Sequence, residues 1–297
     1  MNITFYRADK QREVDLANAF KEGVESVGDT CTVISSSLYK SPLTETDIAV
    51  VVGVKGISRK CIDEHWAQGK KIIYLDKGFI RLRSKRGGTL HVKMSYNNFQ
   101  PLSYFMKNKM PETRWQLLKK EAREQGYDLT PRPFRNGDVV MLSGPSEKYA
   151  TFHNLHSGGA TGYCKEVVAK LKHNTDRQIV YWPKQSWKDA LPIEGSIFGR
   201  PPLKIESYID QAHVFVTHGS NSSVKAILAG VPVIALGPAI TAPVAINYID
   251  ENTLESPFFP SETSLYEWLY ALTHCQWTQE EIAEGLAWSH LRNTVIQ

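Results

Sequence analysis

The stretch VFVTHGSNSSVKAILAGVPVIALG, Val214 to Gly237, limits the fold more than any other part of the chain. Its 24 residues hold an apolar strand, a polar turn, a short helical pattern and a second apolar strand. Strands this uniformly apolar are buried on both faces, as in parallel sheets covered by helices. The turn HGSNSS then leaves the carboxyl end of a strand, where open α/β sheets bind ligands. Ser220 or Asn221 can cap the helix, Val224, Ile227 and Leu228 form its apolar face, and Gly230 with Pro232 ends it. A helix start presents free N–H groups and a partial positive charge, which suits a phosphate.

The same alternation runs through the chain. Ile3–Tyr6, Cys31–Ile34, Ile48–Val52 and Lys71–Leu75 are expected strands, and Val14, Ala17, Phe20, Val24 and Val27 mark a helix between the first two. Leu90, Val92, Met94 and Tyr96 alternate with His91, Lys93 and Ser95, the pattern of a half-exposed strand. YDLTPRPFRNG, Tyr127–Gly137, is rich in Pro and Gly and separates the halves. Strands at Val139–Leu142 and Ile179–Trp182 restart the pattern, with a long loop from Ser143 to Gly162 and a helix from Tyr163. The tail reads as two helices, the second beginning at Thr278 with Glu281 as capping-box partner. The expected architecture is α/β, with two Rossmann-like domains facing a cleft: residues 1–133, and residues 134–297 including the C-terminal helices.

Composition excludes several classes. The chain is 42% hydrophobic and 22% charged, as in soluble globular proteins. No apolar run reaches the roughly 18 residues of a membrane span. The N-terminus lacks the layout of a signal peptide, and the four cysteines are scattered without a CxxC pair; a cytoplasmic location is expected. Charge is uneven: 24 Lys/Arg face 15 Asp/Glu up to Arg135, against 11 and 16 beyond it. A basic first half suits an anionic partner or simply a solvated surface.

The segment THGSNSSVKAILAGVPVIALG resembles the nucleotide-sugar-binding segment of GT-B glycosyltransferases, most closely those of bacterial polysaccharide assembly. Gly230-Val231-Pro232-Val233 stands where their Gly-x-Pro-Val signature falls. LDKGF, VKMSYNNFQPLSYF and CQWTQEEIAEGLAW also resemble segments of phage-borne proteins of this kind. The resemblance implies C-terminal helices that can cross back to the first domain. It also implies a nucleotide-sugar co-substrate, UDP-sugar first, with no tightly bound cofactor and no metal. The chain departs from the pattern at Lys225, where many relatives carry a glutamate that holds the donor ribose. Lys225 would contact a phosphate instead, lie on the surface, or mark lost activity.

Donor contacts are expected from His218, Gly219, Ser220, Asn221, Ser222 and Ser223. Lys184 and Gly237 follow other strands, and Gly144, Ser146, Gly158 and Gly159, with Lys148 nearby, lie in the long loop. Asp76 and Asp9 follow strands of the first half and are candidate general bases, with His91 a third. Arg81, Arg83, Lys85, Arg86 and Lys93, with Tyr96 and Phe99, combine cations with aromatic surface, as a polyanion site does. Together with the phage resemblance this suggests DNA carrying hydroxymethylated pyrimidines as acceptor, its base flipped from the stack. A surface polysaccharide or lipid acceptor, a nucleotide-sugar epimerase and a non-catalytic binding protein remain the alternatives.

Overall fold

The computed structural model describes residues 1–85, 87–101, 109–184 and 189–296. Eleven strands occur among them: β1 Asn2–Arg7, β2 Thr30–Ser35, β3 Ile48–Val52, β4 Lys71–Lys77, β5 His91–Tyr96, β6 Val139–Ser143, β7 Gln178–Trp182, β8 Ile197–Phe198, β9 Ala212–Thr217, β10 Val233–Ala235 and β11 Gln276–Thr278. They form two sheets in two compact units, Met1–Tyr127 with Leu269–Gln297, and Asp128–Trp268. Both units are Rossmann-like, as the alternating pattern requires.

In the first unit the sheet order is β11-β5-β4-β3-β1-β2. The four strands β1 to β4 are parallel because helices Gln11–Glu25 and Ile57–Ala67 carry the chain back between them. Ala49, Val50 and Val51 of β3 have no exposed surface, as a continuous apolar run in a two-sided sheet predicts. The order 2-1-3-4 puts a topological switch point between β1 and β3.

β5 corrects the sequence reading. It runs antiparallel to β4, and β11, a strand the sequence pattern hides, pairs antiparallel with its other edge. With helix Thr113–Glu124 burying Trp115, Leu118 and Ala122, the alternating polar residues are not exposed. His91 and Lys93 are each only 4% accessible and Ser95 is fully buried. The period of two was real, but both faces are covered.

The tail also departs from the expected boundary at residue 297 of the second domain, since Leu269 onward belongs to the first unit. Arg114 holds it. Its guanidinium lies 3.9 Å from the Trp277 ring, binds both Glu281 carboxylate oxygens and donates to the carbonyls of Thr273 and Gln276. The expected capping box of Thr278 and Glu281 is present. Deeper, the Asp29 carboxylate accepts from Trp288 Nε1 at 2.9 Å and from Arg292 Nη1 at 3.0 Å.

The second sheet has the order β10-β9-β6-β7-β8, all parallel. Helix Gly159–Asn174 leads from β6 to β7 on one side, whereas β9 lies against the other side of β6. The switch point of this unit is therefore between the carboxyl ends of β6 and β9. The long loop expected from Ser143 to Gly162 contains a helix, Glu147–Phe152, capped by the Ser146 hydroxyl. The following helix begins at Gly159, four residues before Tyr163.

Replacing Asp29 with Ala strands the buried Trp288 N–H, so the folded state should lose about 1–3 kcal/mol. A lowered urea midpoint checks this; an unchanged midpoint contradicts the anchoring of the tail through Asp29.

Candidate functional site

At the second unit's switch point, Thr217 ends β9 beside Ser143, the last residue of β6. The Thr217 hydroxyl is buried and donates to the Ser143 carbonyl at 3.2 Å. The same oxygen accepts from the amides of Gly219 at 3.3 Å and Ser220 at 3.0 Å. Ser220 Oγ accepts from Ser222 N, and the Ser220 carbonyl accepts from both the amide and the hydroxyl of Ser223. Ser223 Oγ also accepts from Thr241.

This turn corrects two expectations. Asn221 occupies the N-cap position but its side chain makes no capping bond. The amides of Gly219, Ser220, Ser222 and Ser223, expected to face a phosphate, are engaged within the turn itself. The helix they lead into, Ser222–Leu228, is seven residues long. The side chains of Asn221 and Ser222 are half-buried and form no hydrogen bond among the described residues. Gly219 has a φ of +127°, and a Cβ there would sit 2.7 Å from the Pro238 carbonyl, so no other residue fits comfortably.

His218 lies half-buried beside this turn. Its Nδ1 is 2.7 Å from the Tyr163 hydroxyl, and its ring also neighbours Tyr149, centroids 6.0 Å apart. Gly237 passes directly beneath: a Cβ on it would lie 2.3 Å from His218 Nε2. Burial, and then the nearby His153, push the His218 pKa down to about 4. Burial keeps the Tyr163 and Tyr149 hydroxyls protonated by raising their pKa values.

The long-loop glycines are placed differently from expectation. Gly144 is buried and its amide donates to the Trp182 carbonyl. Gly158 N donates to His156 Nδ1 at 2.7 Å, and His156 Nε2 lies 3.1 Å from Glu166. Next to Gly159, the Ala160 amide donates to the Glu147 carboxylate at 3.0 Å. A side-chain anion thus caps this helix start, so Gly158 and Gly159 do not offer an open phosphate cradle. Lys184 is exposed just beyond β7. Lys225 is exposed and ion-paired with Glu206, on helix Ile205–Ile209.

The first unit has candidates of its own. Asp9 follows β1 at that sheet's switch point and accepts from Ser35 Oγ at 3.0 Å and Arg7 Nη1 at 2.6 Å. Those two partners hold its carboxyl below the usual range. Asp76 lies near the end of β4, accepting from the Tyr74 hydroxyl at 2.9 Å and the Lys77 amide at 2.8 Å. His91 is not an accessible base. It is buried with Nε2 3.5 Å from Glu121, and burial lowers its pKa to about 4. Lys93 is lost as an acceptor contact too, because its ammonium donates to the Phe99 carbonyl and sits 5.0 Å from the Tyr74 ring. Phe99 itself is 6% accessible and offers no stacking surface.

Arg81, Arg83 and Lys85 are exposed and form no ion pair among the described residues; Arg86 lies outside them. Arg83 bridges Thr89, whose hydroxyl accepts from Arg12 at 3.1 Å. Arg12 therefore joins this basic loop, although nothing in its sequence neighbourhood signals it. Among the described residues no group of three or more His, Cys, Asp and Glu could hold a metal ion, and no helix is long and apolar enough to cross a membrane.

KpsC of Thermosulfurimonas dismutans matches this architecture in two solved structures. The chain aligns with a beta Kdo 2,4 transferase at TM-score 0.55 and 14% identity, covering 91% of this chain and 89% of that one. It aligns with a beta Kdo 2,7 transferase, again at 0.55, with 12% identity and coverage of 97% and 99%. The fold is that of these transferases. A UDP-GlcNAc 2-epimerase from Neisseria meningitidis aligns at TM-score 0.32 with 10% identity, covering 99% of this chain and 100% of that one, and at that score carries no weight. No family model and no curated protein matches the sequence.

The low pKa of His218 makes a pH prediction. The unfolded imidazole takes up its proton near pH 6.5, whereas the folded one stays neutral to about 4. Its contribution to stability is complete above pH 6.5 and is lost as the pH falls from 6.5 through 4, with His91 acting in the same direction. An NMR titration should give a His218 midpoint near 4; a midpoint near 6.5 contradicts the packing described.

Proposed function

We propose that the chain is a glycosyltransferase that moves a sugar from a nucleotide-activated donor, a UDP-sugar first, to a hydroxyl on a polyanionic acceptor. One observation carries this reading: in a chain with the fold of two sugar transferases, the HGSNSS turn emerges at the switch point of the second sheet. His218 Nε2 and the side chains of Asn221 and Ser222 are the groups proposed to meet the donor phosphates, with Lys184 a further cation beyond β7. Glu206, held by Lys225, provides a carboxylate beside the helix where relatives carry theirs.

Asp76 is the proposed general base. The acceptor oxygen bonds to the anomeric carbon, the bond from that carbon to the phosphate oxygen breaks, and its electron pair leaves with the nucleotide. The acceptor proton passes to Asp76. Asp9 is the second choice because Arg7 and Ser35 already stabilise its charged form. Hydrogen bonds to the departing phosphate act where negative charge develops.

Arg81, Arg83, Lys85 and Arg12 support a polyanionic acceptor; hydroxymethylated DNA is the first to try. With Phe99 and Lys93 buried, such an acceptor would be gripped by its phosphates rather than stacked on the protein.

Incubation with a panel of nucleotide sugars and hydroxymethylated DNA, followed by nucleoside mass spectrometry, should show a hexose or pentose added. Nucleotide release without DNA modification redirects the acceptor to a glycan or lipid; free-sugar isomerisation instead indicates an epimerase. Asp76→Asn should lower kcat about 100- to 10,000-fold with donor affinity retained. A variant with normal kcat removes Asp76 from the mechanism. Changing Arg81, Arg83 and Lys85 to Ala should weaken acceptor binding and flatten its salt dependence.

A further inference from the structure

Tyr163 and His218 come from opposite sides of the second switch point, one in helix Gly159–Asn174, which leads into β7, and the other directly after β9. Their rings stand nearly perpendicular, at 87° and 5.0 Å between centroids, with the hydroxyl 2.7 Å from Nδ1. Nδ1 is therefore committed. Nε2, over the bare backbone of Gly237, makes no hydrogen bond among the described residues. Which ring nitrogen carries the proton is decided by the partner of the other. A phenol O–H is a stronger donor than a neutral imidazole N–H, and Tyr163 keeps its proton. Its hydroxyl can turn to donate. The proton of His218 then sits on Nε2.

We infer that Tyr163 is a positioning residue that fixes His218 in the Nε2–H tautomer and aims this N–H at a phosphate oxygen of the donor. The inference rests on the proposal that the second unit binds a nucleotide sugar. It makes His218 a hydrogen-bond donor to the leaving group without placing a full charge there, so the contact strengthens as the phosphate gains charge. Gly237 is part of the device, since any side chain there would displace the imidazole. Tyr149, whose hydroxyl donates to the Pro238 carbonyl at 3.4 Å, closes the other flank.

Nitrogen-15 NMR of the histidine side chains in the ligand-free protein reads the tautomer directly. The wild type should show His218 with its proton on Nε2, and Tyr163→Phe should show a mixture or the Nδ1–H form. The wild-type spectrum decides the tautomer even should the variant fold poorly. Calorimetric titration with UDP and with inorganic pyrophosphate supplies the second readout. Tyr163→Phe should bind both about 3- to 10-fold more weakly, the effect of one misdirected neutral hydrogen bond. In a His218→Gln background the same change should have no further effect, because the coupling partner is gone. A wild-type Nδ1–H tautomer, or a Tyr163→Phe protein with unaltered tautomer and affinity, overturns the positioning role while leaving nucleotide-sugar transfer intact. If neither probe binds the wild type although the Nε2–H tautomer is seen, the donor-site reading fails and the phosphate role of His218 fails with it.

Discussion

One buried hydroxyl organises the second unit's switch point. Thr217 Oγ1 donates across the sheet to Ser143 and accepts from the amides of Gly219 and Ser220 in the following turn. A parallel sheet that winds in opposite directions from β6 leaves a gap between departing chains at this edge. The Thr217 hydroxyl fastens the two strand ends beside that gap and bends the chain immediately after β9. His218 is the first residue past the bend, so its position against Tyr163 and Gly237 follows from that one interaction. A valine of the same shape would keep the packing and lose all three hydrogen bonds.

The turn is polar for two separable reasons. Four of its amides are satisfied internally, which is what a half-buried turn needs whether or not a ligand arrives. That use of Ser220, Ser223 and Thr217 leaves the half-buried side chains of Asn221 and Ser222, and His218 Nε2, without a hydrogen bond among the described residues. The neighbouring helix start is treated likewise, with Glu147 capping Ala160. The proposed donor contacts therefore run through side chains rather than through an open row of backbone amides. In the first unit the comparable organiser is Arg114, which ties β11 and the tail helix to helix Thr113–Glu124.

Much of the architecture was legible because apolar runs and glycine stops are local signals. Ile48–Val52, Val139–Leu142 and the capping box at Thr278 needed only near neighbours in sequence. The failures came from distant partners. β5 read as half-exposed because nothing in LHVKMSY reveals that Gln276–Thr278 covers its edge or that helix Thr113–Glu124 covers its face. Glu147 and Tyr163 were missed because their roles depend on Ala160 and His218, 13 and 55 residues away. Arg12 was missed for the same reason, since Thr89 lies 77 residues further on. Lys93 shows the converse: a lysine in a basic segment reads as surface until tertiary packing puts its ammonium against Tyr74 and Phe79.

The basic first unit and the polar switch point of the second divide the proposed chemistry, acceptor on one and donor on the other. Hydrogen–deuterium exchange with and without nucleotides and nucleotide sugars tests that division most directly. Slowed exchange confined to residues 217–223 and the loop around Gly237 is the predicted result for at least one nucleotide. Unchanged exchange there with every nucleotide, or protection appearing instead at the first unit's β1 and β4 ends, would contradict it.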